Sequence, residues 1–194
     1  MAKRRPKSVA KAAPASDVSQ RLRRALGKRT KAELVDSLVE CADEDHKLLR
    51  RLAARFGLEA APKELVAETR RAIADATDFD PREINRNFDY DNEAYGEVKR
   101  NLSRLVELGQ LRTAMELALE LMGQGSYQVE MSDEGMMTED VEECLGVVVN
   151  SLSKCDLPAK DVVAWCEKMN RADRVQFICR EALQALRNHV ESRR

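Results

Sequence analysis

Aromatic residues make up only 4% of the 194 residues. With so few rings, a core must be assembled from aliphatics, Ala, Met and Cys, a mixture that favours helices over pleated sheets. Histidine is nearly missing as well. His46 and His189 are the only two, both within strongly charged segments, which leaves a Cys–His or Ser–His mechanism without a suitable base. The sequence has no GxxxxGK[ST] and no GxGxxG, so nothing suggests a glycine-rich phosphate cradle.

The five cysteines, Cys41, Cys144, Cys155, Cys166 and Cys179, are odd in number and widely spaced, with no CxxC or CxH. A structural zinc site needs four converging ligands and usually shows two close pairs, so the pattern speaks for reduced, buried thiols in a cytoplasmic protein and for no metal. No apolar run approaches the roughly 20 residues of a membrane-spanning helix. Lys11 and Pro14 interrupt the small-residue segment near the N-terminus, which speaks against a secretory signal.

Charge is abundant and unevenly placed. Residues 1–31 carry eleven Lys or Arg against the single acid Asp17, a net of about +10. The remainder carries twenty-two basic residues against thirty-three acids, a net of about −11, so the whole-chain value of −1 conceals two opposed halves. Residues 1–15 lack periodicity and hold two prolines, which predicts a flexible basic arm ahead of a single helical domain over 16–194. Within that domain, N-terminal helices over 16–76 precede C-terminal hairpins over 92–194.

Helical spacing begins at Val18, Leu22, Ala25 and Leu26, with Gly27 as a stop. The apolar face of this short basic helix is expected to pack on the body, with Arg21, Arg23 and Arg24 pairing with Asp43, Glu44 and Asp45. Thr30 and Glu33 form a capping-box pair ahead of Leu34, Val35, Leu38 and Val39. Leu48, Leu49, Leu52 and Phe56 line the next helix, and a further one follows Pro62. The polar stretch 77–92, anchored by Phe79, Ile84, Phe88 and Tyr90, is expected to pack against the body, with a helical turn after Pro81.

Tyr95, Val98, Leu102 and Leu105 mark a helix closed by Gly109, and Leu111 to Met122 mark its antiparallel partner. The strongest amphipathic signal is Val141, Cys144, Leu145, Val148 and Leu152. Helices from Asp156 and over 172–190 complete the count. The fold expected is therefore all-α: antiparallel helical hairpins stacked as a solenoid-like or tetratricopeptide-like bundle of about eight helices. The segment LVELGQLRTAMELALELM resembles a tetratricopeptide unit in its small-residue positions, although no second copy matches it.

Residues 123–138, GQGSYQVEMSDEGMMT, hold three glycines and no period, which predicts the longest loop. Its Tyr127, Val129, Met131, Met136 and Met137 are the candidate protein-binding residues. Lys3, Arg4, Arg5, Lys7, Lys11, Arg21, Arg23 and Arg24 are the candidate nucleic-acid-binding residues, gripping phosphate through counterion release. No aromatic residue interleaves them, so such binding is expected to be non-specific. Asp89 and Asp91 cannot open an EF-hand loop, because Ala94 falls where Gly is needed and Arg100 where the bidentate Glu belongs. A carboxylate metal site drawn from 78–93 is the weakest of the three functional readings, and no catalytic residue or cofactor is assigned.

The run QRLRRALGKRTKAELVDSLVECADEDHKLLRRLAARF resembles a helical segment of bacterial proteins that contain a SWIM-type zinc finger. The likeness is carried by Glu33-Leu34-Val35, Leu38, the acidic turn Asp43 to Asp45, and Leu49-Arg50-Arg51-Leu52, and extends over 17 to about 190. The CxC and CxH pairs of the finger itself are absent, so no zinc or nucleic-acid role carries over. What the resemblance implies is a helical, tetratricopeptide-like body that binds proteins and does not catalyse. The function expected is a non-catalytic interaction scaffold or adaptor with an unknown protein partner and no membrane association.

Overall fold

The computed structural model describes residues 17–56, 58, 61–87 and 89–193. Every regular element among them is a helix, ten in all. The two beyond the expected number are the short basic helix, now an element of its own, and the turn after Pro81, which extends to a full helix. By contacts the chain divides into residues 1–48 and 49–194.

In the first unit, α1 spans Asp17–Leu26 and α2 spans Lys31–Glu44. Gly27 closes α1 by donating its N–H to the Arg23 carbonyl at 3.0 Å. Thr30 then opens α2 with a complete capping box. The Glu33 N–H donates to the Thr30 hydroxyl at 3.3 Å, and the Thr30 N–H donates to the Glu33 carboxylate at 2.7 Å. That backbone donor, ahead of the hydroxyl contact, holds the Glu33 carboxyl below its ordinary range. Val18, Leu22 and Leu26 recur along one side of α1.

In the second unit, α4 (Leu65–Thr77), α6 (Asn92–Glu107), α8 (Thr138–Leu152) and α10 (Arg180–Ser192) pack each against the next. The long α7 (Leu111–Met131) touches α4, α6, α8 and α9 (Ala159–Ala172), while α9 also touches α10. The seven-residue α5 (Pro81–Asn87) lies between α4 and α6 in the chain and anchors itself through buried Ile84. The result is a two-layer helical stack with one continuous core. Leu65, Ile73, Tyr95, Leu102, Leu117, Leu121, Leu145, Leu152 and Met169 are among its fully buried side chains. Gly109 at φ 74° makes the tight α6–α7 turn, letting Gln110 donate its N–H to the Leu105 carbonyl at 2.8 Å.

Two segments depart from the sequence reading. Residues 123–131 are not loop but the last turns of α7, so only 132–137 are irregular. Gly125 packs tightly against α8, since a Cβ there would stand 3.0 Å from a Val141 methyl. Gly123, two residues earlier, has nothing within 4 Å of its would-be Cβ. Gly125→Ala is therefore expected to destabilise by about 1–3 kcal/mol through overpacking. Gly123→Ala should stabilise by roughly 0.5–1 kcal/mol by relieving helix-interior backbone entropy. Thermal melts of the two single variants should shift in opposite directions; equal shifts would remove the steric account.

The second departure is 172–190, expected to be one helix. Residues 173–179 instead form a loop containing two left-handed non-glycine residues, Gln176 at φ 62° and Cys179 at φ 53°. Buried Asp173 organises it, accepting the Val175 N–H at 3.1 Å and the Ile178 N–H at 2.9 Å. The Glu142 carboxylate of α8 accepts the Cys179 N–H at 2.9 Å. Ile178 and Cys179 are buried as loop anchors, with the apolar spacing that had suggested a helix.

The core also contains one buried amide. Gln128 accepts the Tyr95 hydroxyl at 2.5 Å and donates to the Ala76 carbonyl at 3.2 Å, joining α7, α6 and the end of α4. Burial drives the Tyr95 phenol well above its ordinary range, so it stays protonated and can donate to Gln128.

Candidate protein-interaction site

Once 123–131 is helical, the candidate protein-binding residues separate by face. Val129 is 5% exposed and Met137 is fully buried, so both belong to the core and cannot contact a partner. Tyr127, Met131 and Met136 are exposed. Tyr127 and Met131 are four residues apart and therefore neighbours on the outer side of α7, whereas Met122, Gly125 and Val129 follow the buried side.

The Tyr127 ring is held from two directions. Phe79, in the turn after α4, meets it edge-on with centroids 5.8 Å apart. The Arg174 guanidinium lies 5.0 Å from the ring centroid, where it gains cation–π attraction, and its Nε donates to the Glu130 carboxylate at 2.5 Å. Arg174 is thus fixed by its neighbours, one residue after the Asp173 that shapes its loop. Asn85 of α5 secures the end of α7, donating to the Met131 carbonyl at 3.1 Å and accepting the Asp133 N–H at 2.8 Å. Beyond it, Gly135 at φ 58° turns the chain, and its carbonyl accepts the Thr138 hydroxyl at 2.6 Å.

The surface is aromatic, Met and Arg, the side chains that dominate protein-binding hot spots. The exposed charged residues of the adjoining segments 78–86 and 130–134 are mostly acidic: Asp78, Asp80, Glu83, Glu130, Asp133 and Glu134 against Arg82 and Arg86. Sequence reasoning named Tyr127, Met131 and Met136 for this role. It missed Arg174 because the loop that presents it was read as helix, and it treated Phe79 only as a packing anchor.

The remaining candidates are dispersed. Lys3, Arg4, Arg5, Lys7 and Lys11 lie outside the described residues, while Arg21, Arg23 and Arg24 are exposed on α1. Asp89 is exposed, and the Asp91 carboxylate caps α6 by accepting the Ala94 N–H at 3.0 Å while pairing with Arg50. Among the described residues no three or more His, Cys, Asp or Glu gather as metal ligands. His189 is exposed, its Nε2 lying 3.1 Å from the Ser153 carbonyl oxygen.

Burial, their largest influence, pushes the Cys144, Cys166 and Cys179 thiols up to about 12, 11 and 12. All three are protonated at neutral pH and poor nucleophiles. Iodoacetamide should therefore label exposed Cys41 in the native protein and reach these three only on unfolding, as read by peptide mass spectrometry. Fast native labelling of Cys144 would contradict the packing described. The chain matches no family model, and no curated protein or solved structure is similar to it. Among the described residues no helix is long and apolar enough to cross a membrane.

Proposed function

We propose that the chain is a non-catalytic interaction scaffold whose contact surface is the C-terminal end of α7 with Phe79 and Arg174. The observation that carries the reading is the exposed Tyr127 ring, clamped between Phe79 and an Arg174 that is itself fixed by Glu130. Such an anchor forfeits little side-chain entropy on binding, which is what makes aromatic residues effective contacts. The surrounding acids favour a partner segment with apolar anchors flanked by Lys or Arg. The two-layer helical stack supports the tetratricopeptide-like comparison, and three buried free thiols support a reducing compartment such as the cytoplasm.

Tyr127→Ala is expected to weaken partner binding by about 2 kcal/mol, close to thirtyfold, while leaving the fold intact. A photo-crosslinking residue at Met131, compared with one at exposed Lys168 on α9, identifies the partner. Capture at position 131 of apolar segments with basic flanks, lost in Tyr127→Ala, is the expected result; equal capture at both positions would sink the reading.

A second reading, phosphate binding by the basic arm, is favoured by the exposure of Arg21, Arg23 and Arg24 on α1. It requires salt-dependent affinity for random duplex that disappears on deleting residues 1–31.

A further inference from the structure

After Pro158 the sequence holds neither proline nor glycine, yet the chain folds back between α9 and α10. Gln176 and Cys179 make the turn, each in a left-handed conformation that is costly for a residue with a Cβ. The same segment carries the sequence marks of a helix. Asp173 and Gln176 have the spacing of a capping box, and Val175, Ile178 and Cys179 run at helical spacing into Leu183, Leu186 and Val190 of α10. Asp173 already makes a cap-like contact, its carboxylate accepting the Val175 N–H two residues on at 3.1 Å. The local sequence thus specifies a helix from Arg174 onward, and tertiary contacts impose the loop in its place.

Two carboxylates hold that loop. Buried Asp173 accepts the Ile178 N–H at 2.9 Å, and Glu142 of α8 accepts the Cys179 N–H at 2.9 Å. In a helix begun at Arg174 the same two N–H groups bond to the Arg174 and Val175 carbonyls, four residues back. Both bonds are kept, and the two left-handed residues relax. Such a helix leaves only Asp173 between α9 and α10, fewer than the link of about two to five residues that an antiparallel helix pair needs. α10 can then no longer return to α8 and α9 of its own chain. Its Leu183, Leu186 and Val190, which are 1%, 3% and 5% exposed in the folded-back form, fit the α8 and α9 of a second copy whose own α10 has left in the same way. Exchange requires no bare surface, because the contacts that α10 makes with α8 and α9 are remade between chains.

We infer that residues 173–179 are the hinge of a domain-swapped dimer, in which they straighten into helix and α10 of each chain docks on α8 and α9 of the other.

Sedimentation equilibrium of the full chain tests this. The wild type is expected to pass from the single-chain mass of 21.9 kDa to twice that mass as concentration rises. In the dimer, isotope-filtered NOEs should connect His189 of a labelled chain to Ser153 of an unlabelled one, a contact that the folded-back form makes within one chain. Gln176 is exposed, and Q176G adopts the left-handed turn without strain while weakening the straightened helix, at both hinges of a dimer. It should dimerise at least about tenfold more weakly than wild type. E142A removes a bond made only by the folded-back loop and should dimerise about tenfold more tightly. A wild type that keeps the single-chain mass at every concentration, or a dimer whose His189–Ser153 NOE stays within one chain, would overturn the inference. So would a Q176G or an E142A that dimerises as the wild type does.

Discussion

Arg50→Ala is expected to cost about 3–5 kcal/mol of stability, because it removes the buried cation shared by three carboxylates. Arg50 is a residue of α3 (His46–Phe56) and is 8% exposed. Its guanidinium pairs with Asp75 of α4 at 2.7 Å and with Asp91, the cap of α6, while its Nε lies 3.6 Å from Glu97. Removing it takes the shared guanidinium from three acids, of which Asp91 is itself only 9% exposed. Burial raises the Glu97 carboxyl above its ordinary value, and Arg50 is the principal influence holding it down. Without Arg50 that carboxyl rises further, and a raised acid contributes stability at low pH that is lost as pH climbs through its folded value. The deficit of the variant should thus be large at neutral pH and shrink below the ordinary carboxylate value of 4.5. Urea unfolding at both pH values checks this, and a deficit independent of pH would contradict the electrostatic account. Combining Arg50→Met with Asp75→Asn, Asp91→Asn and Glu97→Gln should recover much of the loss, since a pocket without charge has none to strand.

Trp165→Ala is expected to have a comparable effect, about 3–5 kcal/mol, by opening a cavity where α9 meets α7. The indole is 5% exposed, and its Nε1 donates to the Met115 carbonyl at 2.8 Å across that junction. Trp165→Phe separates volume from hydrogen bonding and should cost only part of the total, of which the lost bond accounts for about 1 kcal/mol. Far-UV circular dichroism must follow the melts, because the chain's single tryptophan is the residue removed. If Trp165→Phe proved as damaging as Trp165→Ala, the hydrogen bond and not the cavity would dominate.

The all-helical fold was legible because α6 and α8 repeat aliphatic residues at 3.6-residue spacing with little interruption. What failed was punctuation. Gly123 and Gly125 were read as breakers, yet Gly125 lies at the α7–α8 crossing, where small size outweighs the helix penalty of about 1 kcal/mol. The same error hid the inward turn of Val129: a loop has no faces, whereas a helix assigns one to every residue. At 173–179 the spacing of Val175, Ile178 and Cys179 imitates a helix, and the Asp173 contacts that bend it span only two and five residues. The Arg50 cluster lay beyond reach for the opposite reason, its partners being 25 and 41 residues away with no local signature.

The central place of α7 bears on how the molecule assembles. The main packing partners in the second unit are at most three helices apart in the chain, a local topology that favours rapid folding. The register is nevertheless set by one helix, since α7 packs on α4, α6, α8 and α9, whereas α10 packs mainly on α8 and α9. Opening at α10 disturbs two neighbours and can recur without global unfolding, but α7 cannot detach without releasing both layers. The surface around Tyr127 is thus mounted on the last element to let go, so a partner bound there would meet a rigid edge even while the far end of the stack breathes.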